Sequence, residues 1–151
     1  PENIEKILRG EKTQTRRLVK PNHNMAGALP HAVPYVYARV GLGGSRNIHE
    51  VGRTYAMCPG RGKPAVGRIK LLAIRRQKLC DISEEDARAE GCRSVPAVLG
   101  GFYTSARTQF KYLWNDLHKL KGTRWADNPD VWCLTFERWL CSPLHRAANN
   151  R

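Results

Sequence analysis

Gly10-Glu11-Lys12-Thr13-Gln14-Thr15-Arg16-Arg17 gathers an amine, two hydroxyls and two guanidiniums within eight residues. Such groups in one corner can bind an anion or a polar base, or do hydrolytic chemistry. The spacing alone also fits a plain basic strand with one solvated face. The elements around it decide which side chains meet. Ile4, Ile7 and Leu8 form the apolar face of a short helix, and Gly10 is its C′ stop. From Thr13 to Lys20 the chain reads as extended, with β-branched Thr and Val. Alternation along a strand puts Thr13, Thr15 and Arg17 on one face, Gln14 and Arg16 on the other. Lys12, at the bend, can reach either.

The 151 residues carry a formal net charge of +13. That length suits one domain, 1–151, able to bury a core without staples. The charge points to a polyanionic partner, nucleic acid before membrane. From Arg39 to Lys78 there are ten basic residues and one acid, Glu50. A hairpin this basic suits phosphate tracking, and Arg53, Arg61, Lys63 and Arg68, with Arg16, are its candidate contacts. The plainer alternative is a solubilising face. No stretch approaches a membrane span and no signal peptide is visible. The five Cys are scattered with no C-x-x-C pair, which fits reduced thiols in a cytoplasm. Cys133, Cys141 and His145 lie near one another, but their spacing matches no usual zinc pattern. No metal and no cofactor is expected. His23, His31, His49 and His118 stand alone in their segments and receive no role.

The remaining elements follow from punctuation and period. Pro21 to Pro34 reads as an irregular loop, 33–40 as a strand that Pro34 either places at an edge or confines to pairing in its later part, and 41–45 as a turn. The Gly41–Ser45 turn lacks the Gly-Lys-Ser/Thr ending of a phosphate loop. Residues 52–58 and 65–79 read as strands joined by the basic turn 59–64. Ser83 is an N-cap for a helix running to Glu90 and stopped by Gly91. The 95–101 segment is a loop. Phe110, Leu113, Trp114 and Leu117 repeat at helical spacing within 105–119 and read as core. Residues 131–140 form a closing strand, and the tail after about 141 reads as frayed. Five or six strands and three helices without strand–helix alternation predict an α+β fold with a small, mostly antiparallel β-barrel and flanking helices.

These residues resemble the ASCH domains of the PUA-like superfamily, whose hallmark after the first helix is Gly-x-Lys-x-x-Glu-x-Arg. Gly10, Lys12 and Arg17 match it. The resemblance extends to Pro59-Gly-Arg-Gly-Lys63, to the run Asp81–Gly91, and to Trp125–Trp132 with Phe136-Glu137, as in phage and bacterial ASCH proteins. It implies a PUA-like β-barrel with a cleft above it that binds RNA or modified nucleobases. Thr15 stands where that family usually carries Glu. A small bacterial branch that hydrolyses N4-acetylcytidine carries Gly-x-Lys-Thr-x-Thr-x-Arg, matched here at Gly10, Lys12, Thr13, Thr15 and Arg17. By this resemblance Thr15 is the nucleophile, Lys12 its base, and Glu90 the proton-handling acid. Thr13 and Arg17 bind substrate, Arg17 holding the base or the oxyanion.

The implied chemistry is coherent. A Thr hydroxyl needs an adjacent base, and Lys12 serves only when neutral, which burial and the Arg17 cation favour. Glu90 can protonate the leaving amine. Backbone amides near the bend after Gly10 are candidates for the oxyanion. Three readings stand: an amidohydrolase acting on N4-acylated cytidine or cytosine, a non-catalytic RNA- or DNA-binding module that reads a modified base, and a ribonuclease. The partners expected are RNA or modified cytidine nucleosides, with DNA as a further candidate and no membrane.

Overall fold

The computed structural model describes residues 2–27, 32–96 and 103–140. The elements run α1 (Glu2–Leu8), β1 (Gln14–Leu18), β2 (His23–Ala26), β3 (Tyr35–Val40), β4 (Gly44–Glu50), β5 (Thr54–Met57), β6 (Gly67–Lys78), α2 (Glu84–Ala89), β7 (Val95–Pro96), β8 (Tyr103–Thr104), α3 (Ala106–Leu117) and β9 (Asp130–Trp139). The fold is α+β and its described ladders are antiparallel. No described helix is long and apolar enough to cross a membrane.

β9 organises the molecule. It lies between β1 and β6 in a four-stranded sheet ordered β1-β9-β6-β5. Val131, Trp132, Cys133 and Leu134 are all buried, because both faces of the strand are covered. Val131 packs with Leu79, Ile82, Ala87, Phe110 and Trp114 beneath α2 and α3. Trp132 and Leu134 pack the other way, with Leu71, Ile74 and Val36, against the three-stranded sheet β2-β3-β4. Helices, central sheet and small sheet thus share two cores across one strand.

The expected closed barrel is not reached: β1 and β5 are the edges of the central sheet, and no described ladder joins the two sheets. The chain passes between them at the Glu50–Thr54 turn, where Gly52 takes φ +84°. Its N–H donates to the Leu71 carbonyl at 2.7 Å, and Leu71 N–H donates to Arg53 at 3.0 Å. The β6–β9 register shifts between Leu71 and Ala73. Such an irregularity bends the strand and interrupts pairing, so the bridge does not propagate into a ladder. β2 arises where a loop was expected, and β4 runs from the end of the expected 41–45 turn through residues given no element; both hold their places by pairing with β3 on either side. The extended segment expected over Thr13–Lys20 is regular strand only from Gln14 to Leu18. The segment after about 141, with Cys141 and His145, lies outside the described residues, as does most of the 95–101 loop.

Two helix ends position the site. Gly10, at φ +75°, ends the run after α1, and Glu11 N–H returns to the Lys6 carbonyl at 2.8 Å. α2 begins at Ser83, whose side chain accepts from Asp86 N–H. It ends in a Schellman arrangement: Gly91 N–H donates to Arg88 and Cys92 N–H to Ala87, with Gly91 at φ +85°. Glu90 therefore sits at the C-cap, where the chain turns inward.

Candidate functional site

A cavity of about 300 Å³ lies between β1, the β5–β6 hairpin, α1 and α3. Lys12, Thr15, Arg16, Arg17 and Glu90 line one side, Met57, Cys58 and Ile69 another, and Phe110, Trp114 and His118 a third. β1 is an edge strand, and residues of both its faces, Thr15 with Arg17 and Arg16, reach the same cavity.

Lys12, Arg16 and Glu90 are buried charged residues, each under one-tenth exposed. Burying charges is costly unless they are paired and hydrogen-bonded. Lys12 Nζ donates to Glu90 Oε2 and to the Glu90 carbonyl oxygen, both at 2.7 Å. Arg16 Nη1 donates to Glu90 Oε1 at 3.2 Å, and Nη2 to Asp86 Oδ2 at 2.8 Å. Gln14 Nε2 supports Asp86 Oδ1 at 3.0 Å, and Arg75 closes the chain on Asp86 from outside. The Arg16 Nε has no hydrogen-bond partner among the described residues; its guanidinium lies 5.8 Å from the Phe110 ring centroid. Burial alone would raise the Asp86 carboxyl, but hydrogen bonds from Arg75 and Gln14 and the adjoining Arg16 charge hold it below its ordinary value. In direct contact are three cations, Lys12, Arg16 and Arg75, and two carboxylates, with Arg17 beside them. The corner is net positive and suits an anionic or electron-rich group.

Lys12, Thr15, Arg17 and Glu90 thus come together. Thr13 does not: it is exposed, and its backbone stitches the site, donating to Ala89 and accepting from Phe136 at 2.8 Å each. The proposed oxyanion amides are also committed: Gly10, Glu11, Lys12 and Thr13 N–H groups all donate within the protein. Arg16 was expected on a phosphate-binding surface, but its side chain is fully buried because it neutralises Glu90 and Asp86. Asp86 is a site residue that sequence reasoning missed, and Arg16 one that it assigned to a different surface. Their signal was present in spacing. Asp86 and Glu90 are four apart, hence on one helix face, opposite Gln14 and Arg16 on one strand face.

Arg53, Arg61, Lys63 and Arg68 are exposed along β5–β6 and its turn, the hairpin that walls the cavity. Arg68 is steadied by Thr54 Oγ1, at 2.9 Å from Nη2, and Arg53 lies 3.7 Å from Glu50. The Arg39–Lys78 segment is not one hairpin. Arg39 and Arg46 belong to the small sheet, while Arg75, Arg76 and Lys78 are tied to Asp86 and Asp130. On α3, Phe110 and Trp114 are buried as expected, but Leu113 and Leu117 are exposed beside the cavity.

No family model and no curated protein matches this sequence. Among solved structures it is similar to an ASCH domain from Lactobacillus crispatus JV V101, at 17% identity and a TM-score of 0.46. That similarity covers 91% of this chain and 70% of the other.

Proposed function

We propose that this chain is an ASCH-type, nucleobase-recognising domain that removes the acyl group from N4-acylated cytidine or cytosine. The observation that carries the reading is the meeting of Lys12, Thr15, Arg17 and Glu90 in one cavity, with Lys12 bonded to a residue 78 positions away. A volume of about 300 Å³ lies at the small end of ligand sites and suits a nucleoside better than a folded polymer.

Thr15 Oγ1 attacks the acyl carbonyl and passes its proton to Lys12. Lys12 is a base only when neutral, and its 2.7 Å contact gives its proton a path to Glu90. Arg17 holds the charge that develops on the acyl oxygen, since the amides at the bend are already engaged. The C–N bond breaks, and the proton held by the Lys12–Glu90 pair goes to the departing exocyclic amine. Water then hydrolyses the acyl-Thr15 ester, releasing the carboxylic acid and restoring the hydroxyl. Arg16 and Asp86 position Glu90 without touching the reacting atoms.

A second reading, a non-catalytic RNA- or DNA-binding module, is favoured by Arg53, Arg61, Lys63 and Arg68, exposed on the hairpin that contributes Met57 and Ile69 to the cavity. An absorbance assay on a panel of N4-acylated cytidines, run beside gel shifts on RNA and DNA, separates the two. Equimolar cytidine and carboxylic acid support hydrolysis. Tight RNA or DNA binding by folded protein without turnover supports the module.

A further inference from the structure

The far end of the cavity carries a histidine that the hydrolytic reading leaves unused. His118 caps the C-terminus of α3, and its backbone N–H donates to the Trp114 carbonyl at 2.9 Å. Its ring Nδ1 lies 3.0 Å from the same oxygen. A carbonyl only accepts, so Nδ1 carries a proton and Nε2 of the neutral ring is left as an acceptor. The ring also stacks on Trp114, with centroids 3.9 Å apart and 13° between planes. Stacking and hydrogen bond together fix both ring orientation and tautomer. Among the described residues, no side chain or backbone group bonds Nε2.

The rest of the polar lining is rich in donors. Lys12, Arg16 and Arg17 donate only, and both Glu90 oxygens already accept from Lys12 and Arg16. His118 therefore adds an uncommitted acceptor to a lining whose other acceptors include Thr15 and Glu90. Arg16 lies over Phe110, whose ring is 5.9 Å from that of Trp114, and the Trp114 ring carries His118 at 3.9 Å. With the pyrimidine seated beside Lys12 and Glu90, the sugar it carries is the part left for His118. The sugar is also the part of such a ligand rich in hydroxyl donors.

We propose that His118 is a specificity-determining residue: Nε2 accepts a hydrogen bond from a sugar hydroxyl, so the cavity takes a nucleoside in preference to a free base. This rests on the reading of the cavity as a site for N4-acylated cytosine compounds. The test is calorimetric titration of cytidine and of cytosine into the full chain, its His118→Phe variant and its His118→Gln variant. Wild type is expected to prefer cytidine. His118→Phe keeps a ring against Trp114 but loses the acceptor, and should weaken cytidine roughly 2–10-fold while leaving cytosine unchanged. His118→Gln, with an amide oxygen, should recover part of the loss. On N4-acetylcytidine, His118→Phe should raise KM by the same factor with kcat held, a split that a merely structural role would not produce. Equal binding of both probes by wild type, or an undiminished preference in His118→Phe, overturns the inference. Equal binding with turnover of both acylated forms overturns it alone. A His118-dependent preference without turnover supports it and overturns the hydrolytic reading. Binding of neither probe overturns both.

Discussion

Lys12 Nζ is bonded at 2.7 Å both to the carboxylate of Glu90 and to its main-chain carbonyl. One ammonium is thereby tied to a side chain and to the helix end that presents it. The geometry makes α2 part of the site's construction, and the site's charge part of the fold's stability.

Removing the Glu90 charge leaves Lys12 and Arg16 as neighbouring buried cations. Glu90→Gln should cost about 3–5 kcal/mol of stability, the usual penalty for breaking a buried pair. Urea denaturation measures this. It should also slow release of the amine by roughly 10²–10⁴-fold. The double variant Lys12→Met/Glu90→Gln should recover part of the stability and none of the activity, because each single change leaves the other partner unmatched.

Gly91 holds the turn that aims Glu90 inward. Its φ is +85°, and an added Cβ would lie 3.0 Å from Lys6 Cδ and 3.3 Å from Lys12 Cβ. Gly91→Ala should therefore destabilise by about 1–3 kcal/mol. Because Lys12 must give way, turnover should fall even at temperatures where the variant stays folded. A thermal melt paired with a rate measurement checks both.

His49 sets a pH dependence of stability. Burial, then the Arg17 and His23 charges, push its pKa down to about 4 from an ordinary 6.5. It stays neutral in the fold where the unfolded chain already takes up a proton. Its contribution is intact above pH 6.5 and is lost progressively as pH falls towards about 4. Asp86, held below its ordinary value, adds a further loss as pH falls through its own folded value. The melting temperature should decline across pH 6.5 to 4, and His49→Gln should flatten that decline.

The exposed cations on the β5–β6 hairpin predict steep salt dependence of nucleic-acid binding, since phosphate contacts release counterions. Arg61→Ala with Lys63→Ala should weaken binding about equally for all sequences and reduce the salt slope by roughly 2. Gel shifts across a salt series, on several unrelated sequences, check this.

The motif at Gly10–Arg17 and the Ser83–Gly91 helix are legible in sequence because caps, stops and period act locally. The facing of β1 is less so. Alternation separates Arg16 from Arg17, but only the placement of β1 at a sheet edge beneath α2 decides that Arg16 enters the ion network while both line the cavity. β2 and β4 escape sequence reading for a different reason. Gly44, Ser45, Arg46 and Asn47 are exposed and carry no apolar alternation, so only pairing with β3 makes them strand. The α3 stripe divides for a third reason: all four residues border the cavity, but Phe110 and Trp114 are buried against the core while Leu113 and Leu117 are exposed. Periodicity names a face but not what covers it.

The central claim is that Thr15 is the nucleophile of an amidohydrolase. The most direct measurement is turnover of N4-acetylcytidine by wild type and by Thr15→Ala, followed by absorbance, with cytidine binding measured on the same preparations. The account predicts turnover by wild type, its loss in Thr15→Ala, and cytidine binding retained by both. Folded, pure wild type that turns over no acylated cytosine, or a fully active Thr15→Ala, would contradict it.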